Sequence, residues 1–259
     1  MQAPATARAG RPGRGTRRFL LPGLLGLLVA VGVIALLVAT GVIWPGQVFA
    51  AGHDVRGVDV SSYQGEIDWP VLAGDDLDFA YIKATEGSSY VDERFSANWD
   101  GALETDLLVG GYHFMSFESL GPSQAQHVIE TVPSGATLPV AVDVEFYDEY
   151  FQDPPTREQV DAILVPLLEQ LTAHYGVPPV IYTTREAYTR YISGAYPEHP
   201  IWIRSVVLPP RLDDGRDWSL WQYSHRDWRD GYGGEERYID MNVFVGSREE
   251  LAALNESSA

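Results

Sequence analysis

The sequence predicts an α/β protein, an irregular TIM-like (β/α)5(β)3 barrel preceded by one N-terminal transmembrane helix. Three observations predict it. Strand-like apolar runs recur eight times after residue 54, and eight is a number of strands that closes a barrel. Helical patterns separate the first five runs, whereas the last three follow one another with little helix between them. Ahead of them, "FLLPGLLGLLVAVGVIALLVATGVIW" (19–44) carries no charged side chain, over a length that exceeds the roughly 20 residues needed to cross a bilayer core.

Taken in order, residues 1–18 are a basic tail with Arg8, Arg11, Arg14, Arg17 and Arg18 and no acid. Arginines on this side of a span favour a cytoplasmic N-terminus, which leaves everything after residue 44 outside. A cleaved export signal is the alternative for 19–44, because "VFA" before Ala51 has the small residues of a cleavage site; the apolar core of such signals usually runs only about 7 to 15 residues. Both readings export the domain, either held at the cell membrane by a single pass or, if the segment is cleaved, secreted. A Pro/Gly linker (45–54) leads into the barrel (55–250), and a polar tail (251–259) follows.

The strands read as "VRGVDVS" (55–61), "DFAYIKAT" (78–85), "LLVGGYHF" (107–114), "PVAVDVE" (139–145), "PVIYT" (179–183), "PIWIRS" (200–205), "SLWQYS" (219–224) and "RYIDMNVF" (237–244). The clearest helix runs from Thr156 to about Tyr175, where Thr156 and Gln159 form a capping box, Gly176 supplies the stop and Pro166 is expected to bend it. An open doubly wound sheet is the competing architecture. No Gly-rich phosphate loop follows the first strand, as a nucleotide-binding version would want.

Composition removes several classes of function. A chain 45% hydrophobic and 12% aromatic supports a sizeable core. It has no cysteine, so disulfides, thiolate nucleophiles and Cys-based metal sites are out. Its six histidines (53, 113, 127, 174, 199, 225) form no HExxH and no tight pair, so no metal and no cofactor is expected. With five of the 18 basic residues in the tail, the exported part holds 13 against all 36 acids, a formal charge of −23. Such a surface repels a phosphate backbone, and nucleic acid is not an expected partner.

A barrel puts its chemistry at the C-terminal ends of its strands. Those ends carry Asp59, Lys83, Glu86, His113, Asp143, Glu145, Tyr182, Gln222, Tyr223 and Asp240. Asp143 and Glu145 stand at i and i+2, so on a strand they share one face. Acids on polar loops, such as Asp148, Asp153 and Glu236, read as solvated. The strand-end acids sit among apolar neighbours, where an unpaired charge is costly and tends to be kept for chemistry.

In this order, "GVDVSSYQGEIDW", "FAYIKATEGSSYVDERFSANWDGA", "GGYHF", "PVAVDVE", "IYT", "LWQYS" and "IDMNVF" resemble the family 25 glycoside hydrolases, the muramidases of bacteria and phages. The resemblance covers about residues 55–246. It implies a peptidoglycan glycan strand as partner and hydrolysis of the β-1,4 bond between N-acetylmuramic acid and N-acetylglucosamine. By matching motif it implies Glu145 as the catalytic acid, Asp143 as its partner, and Asp59 and Asp240 as further acids of the site. Where the family often reads Trp-Ile-Ala and then Tyr, the sixth strand here reads "IWIRSVV", which puts Arg204 and Ser205 near the groove.

Glycosidic cleavage needs a proton donor for the leaving oxygen and stabilisation of an oxocarbenium-like centre. Glu145, desolvated and crowded by Asp143, is expected to titrate high and donate the proton; Asp143 is expected to be held ionised by a Tyr hydroxyl or a backbone N–H. Two acids on one strand face are poorly placed to straddle a sugar, so the expected nucleophile is the substrate's own 2-acetamido group, oriented by Asp143. Saccharide contacts are expected from Tyr63, Lys83, Glu86, Tyr112, His113, Phe114, Tyr147, Tyr182, Trp202, Gln222 and Tyr223, with Phe117 and Trp221 nearby. Core packing is the alternative for the tryptophans, and His113 reads as a satisfied pocket or core histidine. Lys83, the sole lysine, is expected to pair with Asp143 or Asp59. A monomer is expected. Two other functions fit less well: a saccharide-binding barrel without turnover, and a chitinase-like glycosidase, which wants acids where Ala141 and Leu138 stand.

Overall fold

The computed structural model describes residues 17–39, 44–74 and 76–256. It divides into two units, one ending at Ile43 and one beginning at Trp44. In the first, a helix α1 runs Arg17–Ala39. The expected span of 19–44 reaches past it into 40–43, which lie outside the described residues, as do 1–16 of the basic tail. Among the described residues no helix is long and apolar enough to cross a membrane.

The second unit is a closed barrel. Its strands are β1 (Arg56–Val60), β2 (Phe79–Glu86), β4 (Leu108–Phe114), β5 (Ala141–Val144), β6 (Val180–Thr184), β7 (Ile201–Arg204), β8 (Leu220–Asp227) and β9 (Ile239–Phe244). Neighbours are parallel from β1 through β8 except that β9 runs antiparallel between β8 and β1; the β1–β2 pairing closes the ring. A two-residue strand β3 (Tyr90–Val91), which the apolar pattern is too short to signal, folds back on the end of β2.

Alternation along the strands divides two layers of apolar side chains. One point of each strand turns inward, giving a barrel interior of Phe79, Tyr81, Ala141, Tyr182, Trp202, Leu220 and Phe244. The other points turn outward, where Val58, Ile82, Val109, Val142, Ile181, Ile203 and Val243 pack under the helices. The longest helix covering them (Arg157–Tyr175) begins at the Thr156–Gln159 capping box and ends at Gly176, whose φ of +80° is left-handed and suits glycine. Pro166 is accommodated inside it without interrupting the helix.

Both ends of the unit extend past the boundaries drawn from sequence. The linker contains a helix α2 (Pro45–Ala50) seated against β8: Ala50 is fully buried, and a Cβ on Gly46 would lie 2.0 Å from the Tyr223 carbonyl oxygen. At the other end a short helix (Arg248–Ala253) straddles residue 250. Its fully buried Leu251, with Leu254, joins the interior cluster beside Phe79, Leu108 and Val180 at the strand starts. That helix therefore covers the bottom of the barrel, and the opposite mouth is left for the site.

Candidate active site

Strand alternation aims four carboxyls into that mouth, a cleft lined by Asp59, Asp143, Glu145 and Asp240. On β5, Val142 and Val144 face outward and Asp143 inward, so Glu145, one residue beyond the strand, is inward too. On β1 and β9, Asp59 and Asp240 are direct cross-strand partners in an antiparallel pair, which sets their Cβ atoms only about 4.5–5.5 Å apart.

Asp59 and Asp240 each alter the proton affinity of the other, and two carboxylates that close resist ionising together. Asp59 Oδ2 also accepts from Gln222 Nε2 at 3.0 Å and from Asn242 Nδ2 at 2.7 Å. Each amide is turned the right way by a further donor: the Tyr182 hydroxyl donates to Gln222 Oε1 at 3.0 Å, and Trp202 Nε1 donates to Asn242 Oδ1 at 2.8 Å. Burial raises Asp59, but these donors and the Arg204 charge oppose it. Asp240 is pushed well above the usual carboxylate range, by burial first and then by the Asp59 charge. Of the two, Asp240 is the one whose charge is disfavoured more, and Asp59 is the one whose charge the donors support.

Asp143 and Glu145 have no such support. Asp143 is 7% exposed, and its Oδ1 is shut from water with no hydrogen-bond partner. Burial, then the Glu145 charge, pushes it well above its ordinary value. Glu145 is half-buried and also raised, chiefly by burial, with Arg204 and Lys83 opposing. The raised Glu145 is as expected from sequence. The ionised Asp143 is not: among the described residues no Tyr hydroxyl and no backbone N–H bonds to its carboxyl, and burial disfavours its charge.

Of the expected saccharide contacts, Tyr63, Lys83, Glu86, Tyr112, Phe114, Tyr147, Tyr182, Trp202 and Gln222 line the cleft. Trp202 is 2% exposed and its indole N–H is spent on Asn242, which makes it floor and support for the Asp59 network. Two contacts are corrected. His113 points out of the barrel, fully buried, with Nδ1 2.8 Å from Thr85 Oγ1 and Nε2 2.9 Å from Gln124 Oε1; burial pushes its pKa down to about 4. Tyr223 likewise belongs to the outer layer, as does Trp221. Period-2 alternation explains both, because neighbours of inward Tyr112, Phe114 and Gln222 must face outward. Lys83 is a third correction: its Nζ pairs with Glu86 Oε2 at 2.8 Å rather than with Asp143 or Asp59.

Sequence reasoning missed Asn242, His225, Arg226 and Tyr238. Asn242 lies two residues past Asp240 on the same face of β9, a spacing that could have found it. His225 and Arg226 lie beyond the expected strand end at 224, where β8 continues to Asp227 through two register shifts. Their polarity reads as loop. Asp148 and Glu236 reach the cleft but are exposed, as solvated acids should be.

A closed α/β barrel with a cleft at its C-terminal mouth, floored by four carboxyls, defines a barrel hydrolase of the carboxylate-dependent kind. Residues 58–232 match the pattern of Glycosyl hydrolases family 25, and the chain belongs to that family; it is a glycoside hydrolase. A family 25 glycosyl hydrolase from Bacillus anthracis superposes with a TM-score of 0.74 at 49% identity, covering 78% of this chain and 93% of that one. Lysozyme M1 of Streptomyces globisporus is 32% identical over 79% of this chain and 72% of its own length. An uncharacterized protein, YegX, of Escherichia coli O157:H7 is 37% identical over 79% and 74% respectively. The family match ends before Asp240, so that residue joins the site on geometry.

Proposed function

We propose that the protein is a peptidoglycan muramidase, hydrolysing the β-1,4 bond between N-acetylmuramic acid and N-acetylglucosamine. The observation that carries this reading is the unfinished carboxyl of Asp143: a buried oxygen with no donor, beside a raised Glu145, in a cleft large enough for sugars. A buried acceptor left unpaired costs about 1–3 kcal/mol, a cost the N–H of a bound 2-acetamido group removes. That hydrogen bond favours the ionised Asp143 and moves the pair's proton onto Glu145. Glu145 then donates it to the leaving oxygen while the acetamido carbonyl oxygen attacks the anomeric carbon, and the Asp143 charge stabilises the resulting cation. Water opens the ring product, returning a proton to Glu145. The Asp59–Asp240 pair supplies one fixed negative charge to the same mouth.

Mass spectrometry of fragments released from purified peptidoglycan tests the reading: new reducing ends on muramic acid are expected. Reducing ends on glucosamine, or intact wall, would overturn it. A saccharide-binding barrel without turnover would leave the wall intact, and a chitinase-like enzyme would release chitin fragments.

The same proposal includes a membrane anchor. Around its circumference α1 exposes Leu24, Leu25, Val29, Val33 and Ile34, and a helix apolar all round belongs in a core or a bilayer. The arginines at and before its start favour an N-terminus in the cytoplasm and the barrel outside. Trp44, the first residue of the barrel unit, makes an edge contact with His225 of the cleft wall, ring centroids 5.3 Å apart. Protease on spheroplasts should free a soluble active barrel from the membrane fraction; a mature protein starting at Ala51 in the medium would point to a cleaved signal. A monomer suffices, since every acid of the mouth comes from one chain.

A further inference from the structure

The wall of the cleft built by the ends of β7 and β8 is charged oppositely to its floor. Arg204 ends β7, in register with Thr184 and Gln222. Arg226 lies in the irregular last part of β8. His225 joins the two, lining both the main cleft with Arg226 and a side cavity of about 510 Å³ with Arg204. That cavity opens beside Glu145 and Asp240. Burial and the charges of Arg204 and Arg226 hold the imidazole below its ordinary pKa, so His225 is neutral near pH 7 and the wall carries two positive charges.

Among the described residues neither guanidinium has a carboxylate oxygen within 4.0 Å, and neither donates a hydrogen bond. Several cations elsewhere are engaged. Arg229 forks onto Asp76 at 2.7 and 2.8 Å, Arg157 pairs with Asp161, Arg248 with Asp78, and Lys83 with Glu86. In a chain with 36 acids and 18 bases, acids are in excess, yet these two arginines stay unpaired at the cleft. Arg226 is held in place without losing a donor, its guanidinium carbon 5.6 Å from the Trp44 ring and 5.7 Å from the Tyr238 ring. A guanidinium presents five N–H donors in a fork that matches a carboxylate. An anionic ligand approaching four acids is repelled unless a cation meets it.

We propose that Arg204 and Arg226 form a carboxylate subsite on the β7–β8 wall, which takes an acidic group carried by the substrate beside the sugar at Glu145. This rests on the muramidase reading, under which the carboxylate comes either from the lactyl group of muramic acid or from a peptide attached to it. The subsite sorts substrates: a glycan bearing the acid is bound and a neutral one is not favoured.

The test uses the full-length protein and its Arg204→Gln, Arg226→Gln and doubly substituted forms. Three preparations of wall glycan serve as probes: chains with their peptides, chains stripped to free lactyl carboxylates, and stripped chains whose carboxylates have been converted to amides. Both cleavage (kcat/KM) and equilibrium binding are measured. Charge-assisted hydrogen bonds are worth about 1.5–3 kcal/mol, which converts to roughly 10- to 150-fold. The doubly substituted form should therefore lose at least about tenfold more on carboxylate-bearing chains than on amidated ones. A loss confined to peptide-bearing chains assigns the peptide as the source; a loss on stripped chains assigns the lactyl group. An equal loss on all three shows the arginines acting only on the field around the acids and overturns the subsite, as does no loss on any. Should the wild type cleave none of the chains, the muramidase reading fails, and the binding ratios still decide the subsite.

Discussion

Two pairs of acids share the cleft and are built in opposite ways. Asp59 and Asp240 come from different strands, meet directly across an antiparallel pairing, and are tied into a chain of donors running back to Tyr182 and Trp202. Asp143 and Glu145 come from consecutive inward positions at the end of β5, and the buried oxygen of Asp143 is tied to nothing. The first pair is complete without a ligand. Such a network fixes where a proton and a charge reside, and it costs no reorganisation when substrate arrives. The second is incomplete, and incompleteness at a buried polar group is tolerated mainly where a ligand finishes it. Under the proposed mechanism, the difference separates scaffolding charge from proton-transfer chemistry within one cluster.

The largest expected effect breaks the second pair. Under the proposed mechanism Glu145→Gln keeps shape but removes the proton donor, and general acid catalysis is typically worth about 10² to 10⁴ in rate. Turnover on purified wall should fall by that order while glycan binding persists; near-normal turnover would show that the donor lies elsewhere. Asp143→Asn should also lose turnover, and wall de-N-acetylated at muramic acid should resist the wild type, because each removes one side of the contact proposed between Asp143 and the 2-acetamido group. Trapping a glycosyl ester on Asp143 would replace the substrate-assisted route with a protein nucleophile.

How much of this contrast the sequence could reveal follows from which contacts are local. The β5 pair was legible because i and i+2 spacing on a strand needs no knowledge of neighbours, and the eight strands were legible because barrel strands are continuous apolar runs. The other pair's acids were named, but their contact depends on β9 inserting antiparallel beside β1, and only closure of the barrel sets that register. Lys83 was misassigned for a related reason. In a regular strand residues i and i+3 face opposite sides, but a register shift between Lys83 and Thr85 lets Lys83 reach Glu86. His113 and Tyr223 were legible errors, since alternation with Tyr112 and Gln222 already excluded them from the groove.

The next prediction sharpens the comparison through stability and should amount to roughly 1–2 kcal/mol per variant. Asp240→Asn imitates the protonated Asp240, so it preserves the donor to Asp59 while removing a buried group that ionises unwillingly. Asp59→Asn turns two charge-assisted hydrogen bonds into neutral ones and makes Asp240 the buried charge. At neutral pH the first should raise and the second lower the unfolding free energy. The sign with pH follows from the raised Asp240. Below its unfolded pKa of about 3.9 it is protonated in both states and the substitution changes little; as pH rises toward the folded value the native carboxyl costs progressively more. The gain from Asp240→Asn should therefore grow from pH 4 toward neutrality. Denaturant unfolding across that range measures it, and equal signs for the two variants would refute the assignment of charge to Asp59.

The smallest effect separates the pairs by their electrostatic neighbours. Arg204 acts on all four acids, whereas the Lys83 charge is among the leading influences on Asp143 and Glu145 and not among those on Asp59 and Asp240. Lys83 is itself compensated by Glu86 at 2.8 Å and lies over the Phe114 and Tyr90 rings at 5.3 and 5.7 Å, so its influence is muted. A cation favours the ionised carboxylate, and removing it in Lys83→Met raises the proton affinity of the β5 pair. If activity requires Glu145 to be protonated, it declines as pH rises through the titration of that pair. The descending limb of the pH–activity profile should then move to higher pH by a fraction of a unit, and the growth of the Asp240→Asn stability gain between pH 4 and neutrality should be the same with or without Lys83. A limb that stays put or moves to lower pH would mean that some group other than the β5 pair supplies the proton.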